Sequence, residues 1–281
     1  MINGENMESI EIIKEAFVFP SKNIQLFVIY VILALLAGIF AFIGAILSAF
    51  GFISQECLLC GGILLIISML IVWVLSGYLI SVIKSGIDRD DEVPEFEWWD
   101  NFITGFDNFI VSIFYFIIPA FIVVFVALIT NVFGNIATLA TEILSQAENV
   151  YLGASTTIAY GTISQAVVNL AISLAITTMV AVIVFIIFLF LQTIAEARLA
   201  NTGSLTEALN IMETAKDIKR IGVLDVILVI LLIIIICAVI EMFLSAIFAF
   251  IPLLSILSII VTPYLLFFAK RAVGLLYSNI A

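Results

Sequence analysis

Six nearly uncharged runs rich in Ile, Leu, Val, Phe and Ala dominate this chain of 281 residues: Ile24 to Ile53, Leu58 to Ile83, Asn108 to Ile129, Ala166 to Leu191, Val223 to Ser245 and Pro252 to Ala269. Each can cross a hydrocarbon core, which needs about 20 predominantly apolar residues in a helix. A soluble domain cannot absorb them. Hydrophobic residues make up 64% of the chain, against about 45–50% in soluble domains. The sequence therefore predicts an all-α bundle of six transmembrane helices forming one membrane domain over 1–281. The first two runs exceed the minimum and are expected to tilt or overhang.

Charge orders the runs. The ten Lys and Arg residues occupy four segments: Lys14 and Lys22; Lys84 and Arg89; Arg198, Lys216, Lys219 and Arg220; Lys270 and Arg271. The connections Ser54 to Cys57, Thr130 to Gln165 and Ala246 to Ile251 hold none. Positive charge collects on the cytoplasmic side, so both termini and the charged segments are expected there, in a multi-pass protein of the cell membrane. Glu5, Glu8, Glu11 and Glu15 stand where a signal peptide would be basic, so the first run is expected to be retained. Within 131–165, Ile136, Leu139, Ala140, Ile143, Leu144 and Ala147 recur at helical spacing, which fits an amphipathic surface helix. Re-entry as a seventh span would turn Arg198 outward, against the charge rule. Short amphipathic segments at Ile10 to Asn23, Glu95 to Phe106 and Ser204 to Gly222 precede the three pairs of runs and suggest three tandem helical hairpins.

Composition also excludes. A net charge of -11 with no basic surface removes nucleic acid as a partner. The absence of histidine removes Ser-His-Asp and Cys-His catalysis, His-ligated haem and histidine proton relays. Three cysteines, Cys57, Cys60 and Cys237, are too few for a closed zinc site without carboxylate help. The Cys57/Cys60 pair reads as incidental thiols or a local disulfide. No cofactor, metal site or catalytic residue is expected.

Individual residues carry paired readings. Asp88, Asp90, Asp91, Glu92, Glu95, Glu97 and Asp100 offer oxygen ligands, but Val93 stands where an EF-hand needs glycine and Trp99 where it needs glutamate. The loop reads as a solvated cytoplasmic turn, or as a contact for a cation or a cytoplasmic-side protein partner. Trp98 and Trp99 beside it read as interfacial anchors, with a ligand-stacking site as the alternative. Glu241 is the only carboxylate well inside a run, which makes it a polar candidate. It lies about 27 Å along the helix from Val223, near the outer headgroups. Asn169, Ser173 and Thr177 form a polar stripe that either packs helices or lines a polar path. Ala37, Ala41, Ala45 and Ala49, joined by Gly38 and Gly44, read as a small-residue packing face. Pro119 and Pro263 predict kinks.

Three stretches carry a resemblance. Gly77-Tyr-Leu-Ile-Ser-Val-Ile-Lys-Ser-Gly86 runs into Ile87-Asp-Arg-Asp-Asp-Glu-Val-Pro-Glu-Phe-Glu-Trp-Trp-Asp100. Ala197-Arg-Leu-Ala-Asn-Thr-Gly-Ser-Leu-Thr-Glu-Ala-Leu209 and Glu15-Ala-Phe-Val-Phe-Pro20 complete the set. Together they resemble domain of unknown function family 4013, uncharacterised multi-span membrane proteins of archaea and bacteria. The resemblance implies a multi-span helical protein and assigns no activity. With lipid as its one certain partner, the chain is expected to be a non-enzymatic membrane scaffold or binding component. The alternative is a transporter of a small, largely uncharged solute.

Overall fold

The computed structural model describes residues 7–52, 54–151 and 160–281, and every regular element among them is a helix. In chain order these are α1 (Ser9–Val18), α2 (Ile24–Ala49), α3 (Gln55–Ile87), α4 (Trp98–Ile129), α5 (Val132–Tyr151), α6 (Tyr160–Thr202), α7 (Leu205–Ala208), α8 (Ile211–Ile221), α9 (Val223–Phe250) and α10 (Ser258–Tyr277). Six segments are long and apolar enough to cross a membrane: α2, α3, α4, Gln165–Thr202 of α6, α9, and Pro252–Tyr277, which joins a 3-10 turn to α10. The chain is a multi-pass membrane protein by this architecture.

Helix ends follow local chemistry. The Asn23 side chain accepts from the Leu26 amide at 3.2 Å and starts α2; Asn210 does the same for α8 through the Glu213 amide at 3.2 Å. The second cap divides the expected 204–222 segment into α7 and α8. Gly222, at φ 116°, turns α8 into α9 in a conformation closed to most L side chains. The structure extends several spans beyond their apolar cores: α3 runs to Ile87, α4 starts at Trp98, and α6 continues to Thr202. Hydropathy stops counting at the first charge, whereas backbone hydrogen bonding continues through it. The expected amphipathic segment 95–106 is accordingly the first part of α4 rather than a separate helix.

The chain divides into two compact units, Met1–Ser112 with Phe190–Ala281, and Ile113–Leu189. In the first, α2 and α3 form a hairpin in which Ser68 Oγ donates to the Ala37 carbonyl at 2.8 Å and Gly44 lies against Gly61. The packing face of α2 is Ala37 and Gly44, with Ala41 half-buried; Ala45 and Ala49 are exposed. A four-residue step drifts about 40° around a helix per repeat, so a stripe at strict four-residue spacing leaves the interface after two turns. The same unit holds two closer crossings. A Cβ on Gly77 would lie 1.8 Å from the Asn101 carbonyl, one on Gly105 1.7 Å from the Trp73 carbonyl, and one on Gly274 2.2 Å from the Ile83 carbonyl. Backbone contact of this kind replaces hydrophobicity as the drive for helix association in lipid.

In the second unit, the turn from α4 to α5 at Asn131 (φ 57°) leads into α5. Ile136, Ile143 and Leu144 of α5 are exposed, as a face turned to lipid would be. Residues 152–159, within the stretch expected to be a surface or re-entrant segment, lie outside the described residues. Gly105→Ala should push α3 and α4 apart and cost about 1–3 kcal/mol or more by overpacking. Gly38→Ala, with nothing within 4 Å of the added carbon, should leave the melting temperature unchanged or raise it. Thermal unfolding of both variants in detergent tests this, and equal effects would contradict the crossing.

Candidate functional site

All ten Lys and Arg residues belong to the first unit, and side-chain contacts draw its charged segments together. Arg271 on α10 is fully buried. Its guanidinium pairs with Glu15 of α1 at 2.8 Å, donates to the Asp90 carbonyl at 2.6 Å and to Ser85 Oγ at 3.2 Å, and lies 4.3 Å over the Phe19 ring. Arg198, at the end of α6, pairs with Glu207 of α7 and with buried Asp217 of α8, which also accepts from Tyr277 Oη at 2.8 Å. Lys270 pairs with Glu196, also buried. Buried charges persist only when paired and hydrogen-bonded, and these are.

A rule connects the pairs. The basic residue ending one hairpin holds a carboxylate on the amphipathic helix that opens the next: Arg198 takes Asp217 ahead of α9, and Arg271 returns to Glu15 ahead of α2. Between α3 and α4 the link is neutral, Ser81 Oγ to Asn101 Oδ1 at 3.1 Å. The segment ahead of α1 also meets the segment after α10, the Met7 amide donating to Asn279 Oδ1 at 3.3 Å.

The acidic loop between α3 and α4 is strapped to this assembly. Lys22 pairs with Asp91 at 2.6 Å, Lys84 with Asp88 at 3.0 Å, and Arg89, at φ 53°, donates to Ser278 at 3.1 Å. The Lys22 ammonium holds the Asp91 carboxyl below the usual carboxylate range, first by its hydrogen bond and then by its charge. Beneath the loop, Tyr78 stacks on Phe96 at 3.9 Å and donates to the Pro94 carbonyl at 2.9 Å. Beside the loop lies an open pocket of about 330 Å³ with mixed polar and apolar walls, with Ser81, Lys84, Asp88, Asp90, Glu95 and Glu97 among its lining residues.

A polar seam runs along α4 from this pocket. Asn108 Nδ2 donates to Ser76 Oγ at 2.9 Å, and Gln192 Nε2 bridges Ser112 and Glu196, both at 3.3 Å. Asn101 Nδ2 and Asn108 Oδ1 are buried with no partner among the described residues.

Of the residues singled out from sequence, Ser173 and Thr177 are buried in the second unit. Thr177 meets the Thr130 hydroxyl at 2.9 Å, and Ser173 accepts from Asn135 Nδ2 at 3.1 Å. Asn169 is exposed; its side chain accepts from Gln165 at 2.9 Å. Glu241 is exposed on α9 and makes no ion pair or hydrogen bond among the described residues. Trp98 and Trp99 are exposed and, with Phe102, Leu33, Leu70 and Val74, wall an apolar groove of about 430 Å³. The three cysteines are free thiols. Glu196 was missed because the apolar run ends at Leu191; the helix continues and places the carboxylate inside it. Glu15 and Asp217 were legible in principle. Each shares a face with buried residues of its own amphipathic helix, Ile12 beside Glu15 and Thr214 and Ile221 beside Asp217.

Six helices long and apolar enough to cross a membrane define a multi-pass membrane protein. The particular family follows: the chain belongs to the family described as Protein of unknown function (DUF4013), which matches residues 60–249, more than half of the sequence. No curated protein and no solved structure matches it.

The Asp91 shift has a definite sign. Because the folded carboxyl titrates below its unfolded value, the strap's contribution is present above the unfolded value and is lost as pH falls through the folded one. Lys22→Met should move the Asp91 titration, followed by carboxyl carbon NMR, back up toward the ordinary aspartate value. An unchanged titration would mean that Lys22 is not the cause.

Proposed function

We propose that this chain is a non-enzymatic binding component of the cell membrane, with both termini and its acidic loop in the cytoplasm, and that it engages a cationic partner there. The observation that carries the reading is an imbalance left after internal pairing. Lys22, Lys84, Arg198, Lys216, Arg220, Lys270 and Arg271 are all held in ion pairs within the chain. Glu92, Glu95 and Glu97 on the strapped loop and Asp100 in the first turn of α4 are exposed and form no ion pair among the described residues. A surface with one sign of charge on a rigid support attracts the opposite sign and speeds encounter with it. A second polar pocket, of about 640 Å³ and lined by Lys22, Asn23, Gln25, Asp91, Glu92 and Glu95 among others, lies on the same face; its carboxylates outnumber its one ammonium, which is paired with Asp91.

The orientation rests on the segregation of Lys and Arg, which biases charged loops to the cytoplasm. A transport path along Asn169, Ser173 and Thr177 gains no support from their placement, since the two hydroxyls are engaged with Thr130 and Asn135.

Two measurements test the proposal. A membrane-impermeant maleimide applied to intact cells should label Cys60 and should label Lys219→Cys, in a cysteine-free background, only after permeabilisation. The reverse pattern would invert the topology. With the full chain in nanodiscs, a Lys-rich peptide should bind in a salt-sensitive manner and a Glu-rich peptide of equal length should not. Neutralising Glu92, Glu95 and Asp100 to amides should weaken the Lys-rich peptide at least about tenfold, as loss of charge-assisted contacts worth about 1.5–3 kcal/mol each requires. Equal binding of both peptides would refute it.

A further inference from the structure

We propose that the groove between α2 and α10 binds an uncharged lipid alcohol, a long apolar chain whose hydroxyl sits within the hydrocarbon layer. The proposal is independent of the cationic-partner reading, since it concerns an uncharged ligand at a different place in the first unit. The two helices meet where Tyr30 and Phe27 pack edge-on against Phe267, with ring centres 4.9 Å and 5.6 Å away. Past that floor they part. Gly38 has nothing within 4 Å of an added Cβ, and a groove of about 680 Å³ runs between the helices, walled by Leu35, Phe42, Ile259 and Leu266 among others. No charged side chain lines it, and its size suits a small ligand.

An apolar groove in a membrane takes bilayer chains as a matter of course, but three polar groups in this one call for more than a chain. Tyr30 is 4% exposed and lines the groove. Its hydroxyl makes no hydrogen bond among the described residues, and it is not one of the side-chain atoms that the fold seals from the surface. It is therefore reachable, and the groove is the surface that Tyr30 lines. Thr262, exposed on the facing wall, has a hydroxyl that is likewise without a partner among the described residues. One residue on, Pro263 has no amide hydrogen to give the Ile259 carbonyl, four residues before it.

Depth decides what can serve these groups. Tyr30 lies about 9 Å along α2 from Ile24, and Thr262 about 12 Å along α10 from Lys270, inward of the charged residues that mark the headgroup zone. Polar groups in hydrocarbon are costly unless satisfied. An alkyl chain offers neither donor nor acceptor. A hydroxyl offers both, accepting from Tyr30 or Thr262 and donating to a carbonyl oxygen. With no charge on the walls to pair with, a carboxylate or phosphate at this depth is disfavoured.

The full chain in phosphatidylcholine nanodiscs, irradiated with a hexadecanol that carries a diazirine on its chain, tests the site. Saturable labelling of α2 and α10 peptides is expected, competed by unlabelled hexadecanol at least about tenfold better than by hexadecane or palmitate, as two neutral hydrogen bonds require. Gly38→Leu, which fills the groove, should abolish the label, whereas Gly62→Leu, on α3 with equally open space around it, should not. Tyr30→Phe and Thr262→Val, which keep their shapes and lose only a hydroxyl, should each weaken the alcohol about fivefold, one neutral hydrogen bond, and leave hexadecane unchanged. Labelling that does not saturate, or that survives Gly38→Leu, would mean surrounding bilayer chains only and would overturn the proposal. Equal competition by hexadecane and hexadecanol would overturn it as well, even with the label confined to the groove.

Discussion

A guanidinium without water needs a counter-charge, and the first unit is arranged around that requirement at Arg271. Its side chain is wholly buried, so every hydrogen bond and charge it meets comes from the protein: Glu15 from α1, Ser85 from α3, the Asp90 carbonyl from the acidic loop, and the Phe19 ring. Those groups come from the first third of the chain and Arg271 from its last few per cent. The contact therefore fixes the N-terminal amphipathic helix, the end of the first hairpin and the loop after it in a single step. Next to it, Gly274 and Gly86 let α10 and α3 touch backbone to backbone, which carries the guanidinium to its partners. Lysine would not substitute, since the planar fork, with its several donors, makes three of these contacts at once.

Burial of the basic residues also shapes the surface. Once Arg271, Arg198 and Lys270 are neutralised inside, and Lys22 and Lys84 are used as straps, the strapped loop presents Glu92, Glu95 and Glu97 beside Arg89, while Lys14 and Lys219 stay exposed elsewhere. Segregated Lys and Arg, which generally bias the orientation of membrane chains, here hold helices together.

The sequence made the six spans and the helical class legible because long apolar runs have one solution in lipid, where backbone polar groups must be satisfied within the segment. The ion pairs were less so. Glu15 pairs across 256 positions of sequence and Glu196 across 74, and spacing arguments reach only a few residues. The small-residue face of α2 was read with a period of four, whereas the helix repeats every 3.6 residues, so Gly44 was right and Ala45 and Ala49 were not. The seam along Asn101, Asn108 and Ser112 went unread because its partners Ser76, Ser81 and Gln192 lie on other helices.

The central claim, that the Arg271–Glu15 pair closes the unit, is tested most directly by a double-mutant cycle on equilibrium unfolding in mild detergent. Glu15→Gln leaves a fully buried guanidinium without its counter-charge and should cost about 3–5 kcal/mol. Adding Arg271→Met should restore part of that loss, so that the double variant is more stable than Glu15→Gln alone. Losses that simply add would contradict the account.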